Sequence, residues 1–379
     1  METWTNYFEC AVIGGGVAGL CLAIQLADRG NRVVVFEKGR YPFHKVCGEY
    51  ISMESRPFLE SLGLPLSEMA LPEINSLGIS SERGFMLRHP LETGGFGISR
   101  YSLDSHLFTI ALRKGVHAMQ ECRVTGVEGN PTDGFQLHTT AGVFASKVVC
   151  GSYGKYAPQF IQSDENVVSR SGDQNYIGVK YHIKTDLASN RIELHNFSNG
   201  YCGISKVDRD WYCLCYLTTA RNLLENGKDV KQMEERVLCR NPFLKHYFTN
   251  SAFVHAQPLV ISNVHFSKKQ TDSGGIFLLG DAAGAITPLC GNGMSMGMRA
   301  SKLLAEQLSL LFDGKQTYVQ ALKNYRHAWN TTFGARIRAG YHLQKLFGKS
   351  LTTDLALKFL DKTPRLTTKL ISLTHGPAF

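Results

Sequence analysis

The sequence has 379 residues, of which 43% are hydrophobic and 19% charged, a composition that excludes a disordered chain and fits two or three packed lobes. It has no run of 18 or more apolar residues, so we expect no membrane-spanning helix. The net charge of +9 is concentrated in residues 321–379, which contain ten Lys/Arg and two Asp without any nucleic-acid-binding signature.

The ten cysteines are scattered along the chain and form no Cys-x-x-Cys pair. Such cysteines are typical of small buried side chains in a reducing compartment, and we therefore expect a cytoplasmic protein. Neither the cysteines nor the histidines show the spacing of a metal-ligand set, so the sequence predicts no metal site.

The first elements in chain order are a strand over 9–13, a glycine-rich turn over 14–19, a helix over 20–29 and a second strand over 32–37. The turn reads Gly-Gly-Gly-Val-Ala-Gly and fits the G-x-G-x-x-G fingerprint of a dinucleotide-binding βαβ unit. Because the turn follows an apolar strand and opens a helix, its context supports a ligand-binding role.

Each part of this fingerprint has a physical reason. Gly14 permits the tight turn, Gly16 lets the backbone approach a diphosphate, and Gly19 allows close packing of the helix on the strand. The helix start offers free N–H groups and the positive end of its dipole to phosphate oxygens. Glu37, 18 residues after Gly19, is placed to accept hydrogen bonds from ribose hydroxyls.

The chain continues with a loop over 38–55, strand-like segments over 73–97, a helix over 103–114 and short strands within 116–150. From about 175 to 268 the pattern alternates between apolar and polar residues. This alternation predicts a mainly antiparallel sheet, with one helix near 229–239.

A buried strand over 276–279 then runs directly into Gly280-Asp281-Ala282. The segment Thr287 to Met294 follows and introduces a long helix over 293–311. Free N–H groups at the start of that helix are suited to stabilising negative charge on a ligand.

These motifs together resemble the p-hydroxybenzoate-hydroxylase-like superfamily of FAD-dependent oxidoreductases. Within it, the segment Pro42 to Ser52, with Cys47-Gly48 after a basic residue, resembles the geranylgeranyl reductase family. The resemblance implies that Asp281 binds a ribityl hydroxyl, that 291–294 lies beside the isoalloxazine ring, and that Arg100 of Arg-x-x-x-Asp contacts the cofactor. It implies FAD binding by Gly14, Gly16, Val17, Ala18, Gly19, Glu37, Lys38, Cys47, Gly48, Arg100, Val124, Gly280, Asp281, Ala282, Gly291, Asn292, Gly293 and Met294.

The predicted fold is α/β, a Rossmann-type FAD-binding domain interrupted by a mainly antiparallel substrate domain and followed by C-terminal helices. The predicted FAD-binding domain is discontinuous and comprises residues 1–72, 98–170 and 270–315. The predicted substrate domain comprises residues 73–97 and 171–269, and the helical segment comprises residues 316–379.

Three functions are consistent with these features. The first is reduction of C=C bonds in a hydrophobic isoprenoid or polyketide-like substrate, with hydride from flavin N5 and Cys47 or His44 as candidate catalytic groups. The second is a monooxygenase that hydroxylates or epoxidises an aromatic or lipid substrate. The third is a flavin-binding electron-transfer component without a small organic substrate.

The reductant and the partners are less constrained. NADPH or NADH is the candidate reductant, but Tyr153 occupies the place of an Asp in the family motif Gly-Ala-Asp-Gly, which favours a different electron donor. The basic tail, which also carries apolar residues such as Leu355 and Phe359, suits an anionic membrane surface or an acidic carrier protein.

Overall fold

A computed structural model of the protein describes residues 6–161, 175–264, 270–284, 291–344 and 347–379. Its strands are β1 (Tyr7–Ile13), β2 (Val33–Phe36), β3 (Tyr50–Ser52), β4 (Glu73–Ser80), β5 (Met86–Gly97), β6 (His117–Met119), β7 (Val124–Asn130), β8 (Gly134–Thr139), β9 (Gly142–Gly151), β10 (Tyr176–Lys184), β11 (Arg191–Phe197), β12 (Gly200–Lys206), β13 (Tyr212–Thr219), β14 (Ala252–Phe253), β15 (Leu259–Val264), β16 (Asp272–Ser273) and β17 (Ile276–Leu278). Its α-helices are α1 (Val17–Asp28), α2 (Arg56–Ser61), α3 (Arg100–Arg113), α4 (Ala220–Glu225), α5 (Val230–Arg236), α6 (Pro242–Asn250), α7 (Gly293–Phe312), α8 (Tyr318–Gln344), α9 (Ser350–Asp361) and α10 (Pro364–Ser372).

The first sheet has the order β16-β17-β9-β1-β2-β6, with β7 and β8 added beside β9. The pairs β1–β2, β1–β9, β9–β17 and β2–β6 are parallel. All four residues of β2 are buried, as expected for a parallel strand that is covered on both faces. The predicted Rossmann-type βαβ unit is confirmed, with α1 packed against α3 and α7.

The second sheet has the order β14-β10-β13-β12-β11-β4-β5-β3, with β15 beside β10. Strands β10 to β13 pair in antiparallel fashion, whereas β11 and β4 pair in parallel. The sheet is therefore mainly antiparallel, as predicted. Strand β3, which the predicted domain boundaries place with the FAD-binding domain, pairs with β5 in this second sheet.

Three helices follow β13, where the sequence pattern predicted one. Asp229 accepts backbone N–H bonds at the start of α5, and Asn241 caps α6 ahead of Pro242. Both are ordinary helix-start signals. The predicted helix near 229–239 is present as α5, whereas α4 and α6 were not predicted, because helices of six and nine residues are too short for a clear apolar period.

The last two helices lie against the second sheet. Ser81, which follows β4, donates a buried hydrogen bond of 2.6 Å to Asp354 of α9. The Nε2 atom of His89 on β5 lies 2.9 Å from the hydroxyl of Thr368 on α10. Among the described residues, no helix combines the length and the hydropathy that crossing a bilayer requires.

Candidate functional site

One elongated cavity of about 980 Å³ connects the two sheets. At one end it is lined by the start of α1 and the end of β2, including Gly14, Gly16 and Glu37. At the other end it is lined by apolar side chains of the second sheet and of α9 and α10. A volume of this size is at the upper limit for ligand sites and accommodates an extended ligand.

The glycines at the start of α1 form a cradle that larger residues would fill. A Cβ on Gly14, where φ is +104°, would lie 2.4 Å from the carbonyl oxygen of Ser152, and one on Gly19 would lie 2.2 Å from the carbonyl oxygen of Gly14. A Cβ on Gly16 would instead face the cavity. Its nearest atoms would be Lys45 Nζ at 3.9 Å and Arg100 Nη2 at 4.0 Å.

The two cations opposite Gly16 share one carboxylate. Arg100 donates two hydrogen bonds of 2.7 Å to Asp104, and Lys45 Nζ lies 3.3 Å from the same buried carboxylate. Burial lowers the pKa of Lys45, and the neighbouring charge of Arg100 lowers it further. Two cations and one carboxylate leave a net positive charge beside the free backbone N–H groups at the start of α1. Both features favour the binding of a further negative group. These residues therefore fit the diphosphate of FAD.

Arg100 was predicted from the sequence to contact the cofactor, whereas Lys45 was not among the predicted residues. Lys45 belongs to no fingerprint position, and it reaches Asp104 only because the loop after β2 folds over the start of α3. A basic residue just before Cys47 was the available signal.

The carboxylate of Glu37 lies at the same end of the cavity. Its two oxygens accept hydrogen bonds of 3.0 Å from the backbone N–H groups of Gly15 and Gly39. Each oxygen keeps a second acceptor position, so the predicted bond from a ribose hydroxyl remains geometrically possible. Lys38 and Val124 line the cavity beside it.

The predicted ring-binding residues lie further along the cavity. Gly280, Asp281, Gly291, Gly293 and Met294 all line it. Gly280 and Gly291 have φ values of +63° and +62°, a backbone conformation that favours glycine.

Tyr50 faces this part of the cavity. Its hydroxyl is buried and has no hydrogen-bond partner among the described residues. A buried hydroxyl of this kind is favoured where a bound group completes its hydrogen bonding. The position suits a polar edge of the flavin.

Val17, Ala18, Cys47 and Gly48 also line the cavity, whereas three predicted cofactor residues lie behind its wall. Gly19 contacts the turn before α1, and Ala282 is buried. The side-chain amide of Asn292 donates a 2.8 Å bond to the carbonyl oxygen of Thr374. These three support the lining rather than form it. The segment 287–290 of the predicted ring loop lies outside the described residues.

Cys47 lies on the cavity wall between the two sheets. Its sulfur is 3.8 Å from the sulfur of Met294 and accepts a 3.5 Å bond from the backbone N–H of Glu49. The thiol of Cys213 on β13 donates to the carbonyl oxygen of Cys47 at 3.2 Å. The second sheet thus holds the Cys47 loop from one side.

A buried ionic cluster that was not predicted from the sequence lies next to Cys47. The carboxylate of Glu49 accepts hydrogen bonds from Lys180 Nζ, from the backbone N–H of Arg100 at 2.7 Å, and contacts His182 Nε2 at 2.6 Å. Although burial raises the pKa of Glu49, the bond to His182 and the charge of Lys180 outweigh it and hold that pKa below its ordinary value. Glu49 and Lys180 are 131 positions apart in the sequence, so the pair left no local signal.

His44, the second predicted catalytic residue, also lines the cavity. Burial lowers its pKa to about 4, and the charge of Lys180 contributes to the lowering. The ring is therefore neutral at pH 7 and offers a lone pair rather than a positive charge.

Tyr153, which the resemblance aligns with the family's Asp, lines the cavity. A Cβ on Gly151 would lie 2.8 Å from its ring. Burial raises its pKa to about 12, so the side chain stays neutral and carries no acceptor charge.

Comparisons with known proteins agree with this geometry. Residues 9–45 match the family described as FAD dependent oxidoreductase, and residues 208–335 match the family described as squalene epoxidase. This chain is an FAD-dependent oxidoreductase. The first match covers the glycine cradle, Glu37 and Lys45.

Two curated relatives span most of the oxidoreductase. Conditioned medium factor receptor 1 of Dictyostelium discoideum is 24% identical over 94% of this chain and 74% of its own length. Digeranylgeranylglycerophospholipid reductase 2 of Methanopyrus kandleri is 23% identical over 92% of this chain and 88% of its own length. The resemblance to the geranylgeranyl reductase family is confirmed.

Solved structures show the same fold. A geranylgeranyl bacteriochlorophyll reductase-like protein of Thermoplasma acidophilum has a TM-score of 0.77 at 16% identity, covering 97% of the oxidoreductase and 96% of that chain. The flavin-dependent brominase Bmp2 has a TM-score of 0.78 at 18% identity, covering 98% and 94%. At these identities the likeness concerns the fold alone.

Proposed function

We propose that the oxidoreductase reduces C=C bonds of a hydrophobic substrate with an isoprenoid or polyketide-like chain. The observation that carries this proposal is the continuity between the flavin cradle and an apolar chamber. That chamber is lined by Leu77, Ile79, Leu87, Leu91, Ile192, Leu194, Phe347, Leu357, Leu360, Leu370 and Ile371. A long hydrocarbon chain is the ligand that such a wall favours. The relatives named as lipid reductases support the same substrate class.

Bound FAD supplies hydride chemistry at N5 of its ring. The chain's own residues do the rest: Gly16, Lys45 and Arg100 hold the diphosphate, and the apolar chamber orients the alkene and excludes water. Hydride addition to one alkene carbon leaves the other carbon in need of a proton. The thiol of Cys47, on the cavity wall, is the proposed donor of that proton.

Anaerobic single turnover tests the reductase. The holoenzyme is reduced with dithionite, freed of excess reductant, and mixed with a geranylgeranyl lipid in the absence of oxygen. We expect flavin re-oxidation together with a product that has gained two hydrogens. A flavin that stays reduced without oxygen, and a product that gains one oxygen atom once air is admitted, would refute the reductase proposal.

The second candidate is a monooxygenase, which the match of residues 208–335 to squalene epoxidase favours. It uses the same cradle and the same apolar chamber. The air-admission arm of the experiment above identifies it, because only a monooxygenase requires oxygen for product formation.

For the reductant, we propose a donor other than free NADPH or NADH. Tyr153 carries no charge where the family motif has an Asp, and it is half-buried on the cavity wall. Stopped-flow reduction by NADPH and by NADH tests this: we expect slow bleaching of the flavin with either. Rapid, saturable bleaching by one of them would identify that nucleotide as the reductant.

We also propose that the outer faces of α9 and α10 dock on an anionic membrane. Leu351, Leu355 and Phe359 follow one another at every fourth residue of α9 and are 53%, 59% and 58% exposed. Leu366 on α10 and Leu373, which directly follows that helix, are also exposed. The stretch 349–373 carries five Lys/Arg and two Asp. A basic helix with exposed large apolar side chains is suited to the lipid interface.

The inner faces of the same two helices line the apolar chamber through residues such as Leu357 and Ile371. Docking would therefore bring the chamber close to a lipid substrate in the bilayer. An acidic carrier protein would need the cations but not the apolar stripe, and so the membrane is the better fit.

Co-sedimentation with vesicles tests the docking. We expect binding to vesicles that contain anionic phosphatidylglycerol, and loss of that binding in Phe359→Glu. Val319→Glu is the matched control, because Val319 is 72% exposed on α8. Equal binding of Phe359→Glu and the wild type would contradict the proposal, as would binding that is independent of anionic lipid.

A further inference from the structure

Three histidines that are far apart in sequence meet beside the Cys47 loop. His44 lies in the loop after β2, His182 on β10 and His255 just after β14. One ligand atom from each lies within 4.8 Å of the others. The ring centroid of His44 is 5.1 Å from that of His182 and 5.7 Å from that of His255.

We propose that His44, His182 and His255 form a binding site for a divalent transition-metal ion. Imidazole nitrogens favour Zn²⁺, Ni²⁺, Cu²⁺ and Co²⁺ over Mg²⁺ and Ca²⁺. Three protein ligands with a remaining open position is a common arrangement for Zn²⁺. The site is argued from these three side chains alone and does not depend on the proposed function.

The carboxylate of Glu49 orients one of the three ligands. His182 Nε2 lies 2.6 Å from the Glu49 carboxylate, so Nε2 donates to that carboxylate and Nδ1 is the ring nitrogen left to face an ion. Metal-binding histidines commonly donate the hydrogen of their other ring nitrogen to a carboxylate. This hydrogen bond fixes the tautomer and raises the basicity of the ligand nitrogen.

His44 supplies an independent observation. Its Nδ1 is buried and has no hydrogen-bond partner among the described residues. An unpartnered buried nitrogen is unfavourable, and a coordinated ion would satisfy it.

The surrounding charges limit the affinity. Lys180 Nζ is held by Glu49, which offsets its repulsion of a cation. The guanidinium of Arg209 lies 5.0 Å from the ring centroid of Tyr101 and 5.6 Å from that of Trp211, and its positive charge also opposes a bound cation. Because Arg209 is half exposed, solvent screens that charge. His255 is exposed and gives the ion a route from solvent. We therefore expect a dissociation constant on the order of micromolar rather than nanomolar.

Metal titration of the holoenzyme tests the site. Zn²⁺ competition against a chromophoric chelator should show one ion bound per chain. His255→Ala removes the exposed ligand and leaves the buried cluster intact, and we expect it to weaken binding about tenfold or more. His106→Ala, an exposed histidine on α3, is the control and should bind as the wild type does.

Thermal unfolding provides a second readout that is independent of turnover. Zn²⁺ should raise the unfolding midpoint of the wild type and of His106→Ala, since the ion joins a loop to the second sheet in the folded state only. It should leave the midpoint of His255→Ala unchanged. Undiminished Zn²⁺ affinity in His255→Ala, or no bound Zn²⁺ in the wild type, would overturn the proposal.

Discussion

We expect FAD binding to depend most directly on Gly16, which lines the cavity at the start of α1. A valine side chain there would fill the space between the start of α1 and the two cations that face it. We expect Gly16→Val to weaken FAD binding by about a hundredfold or more, equivalent to about 2.7 kcal/mol, because the diphosphate loses its contact with the backbone. Flavin content after purification and titration with FAD measure this.

The control for that variant is Gly126→Ala on β7. A Cβ there would have its nearest neighbour at 3.7 Å, and the residue lies outside the cavity. It should retain the flavin. A yellow Gly16→Val protein with the affinity of the control would show that the diphosphate lies elsewhere.

Cys47 is the residue whose chemical role the proposal specifies. Cys47→Ala should retain FAD, because no predicted phosphate contact is lost, and should reduce product formation about 10²- to 10⁴-fold, the usual contribution of a general acid. Cys239→Ala, a partly buried cysteine outside the cavity, is the control. The measurement is the rate of product formation in anaerobic single turnover. An unchanged rate in Cys47→Ala would show that the thiol contributes packing and not proton transfer.

At the scale of elements, Glu49 joins β10 to the Cys47 loop and to the start of α3. Glu49 and Lys180 are both essentially inaccessible to solvent. Removing one partner of a buried ion pair leaves the other charge buried and uncompensated. We expect Glu49→Gln and Lys180→Met each to lower the free energy of unfolding by about 3–5 kcal/mol. The double variant should lose much less free energy of unfolding than the sum of the two single-variant losses. Denaturant unfolding measures all three, and additive losses would contradict the coupling.

The same pair predicts a pH dependence of stability. The pKa of Glu49 is lowered in the folded state, so its contribution is present above its unfolded value and is lost as the pH falls through the folded value. The pKa of Lys180 is raised, so its contribution is present below its ordinary value and is lost as the pH rises through the raised one. Between pH 5 and 10 the stabilising contributions of Glu49 and Lys180 are both fully present.

Acid unfolding should therefore be steeper in the wild type than in the Glu49→Gln/Lys180→Met double variant, since the variant has no carboxylate to protonate at this site. Unfolding midpoints at a series of pH values below about 4.3, the ordinary pKa of Glu, test this. Parallel acid profiles for the two proteins would show that the pair does not titrate as described.

At the scale of the whole molecule, the cavity makes the cofactor a link between the two sheets. Removing FAD should lower the unfolding midpoint, and adding FAD back should reverse that decrease. ADP fits the end lined by Gly14, Glu37 and Val124 and should restore part of it. Riboflavin lacks the phosphates and should restore less than ADP. A larger effect of riboflavin would reverse the assigned direction of the cofactor in the cavity.

The sequence by itself determined the local parts of the oxidoreductase. The βαβ unit, the glycine cradle, Glu37 and the Gly280-Asp281 turn depend on short-range periodicity and on backbone conformations that only glycine readily adopts. The order of the motifs also determined the resemblance to flavin enzymes. The alternating strands 176–217 were predictable for the same reason, because each records the burial of one face.

Only the tertiary structure decided which distant side chains meet. Lys45 reached Asp104, Glu49 reached Lys180, and three histidines converged because loops and strands from both sheets fold against one another. Such contacts leave no spacing in the sequence, since the chain between them varies freely in length. The apolar chamber arose in the same way, from helices α9 and α10 that close over one face of the second sheet.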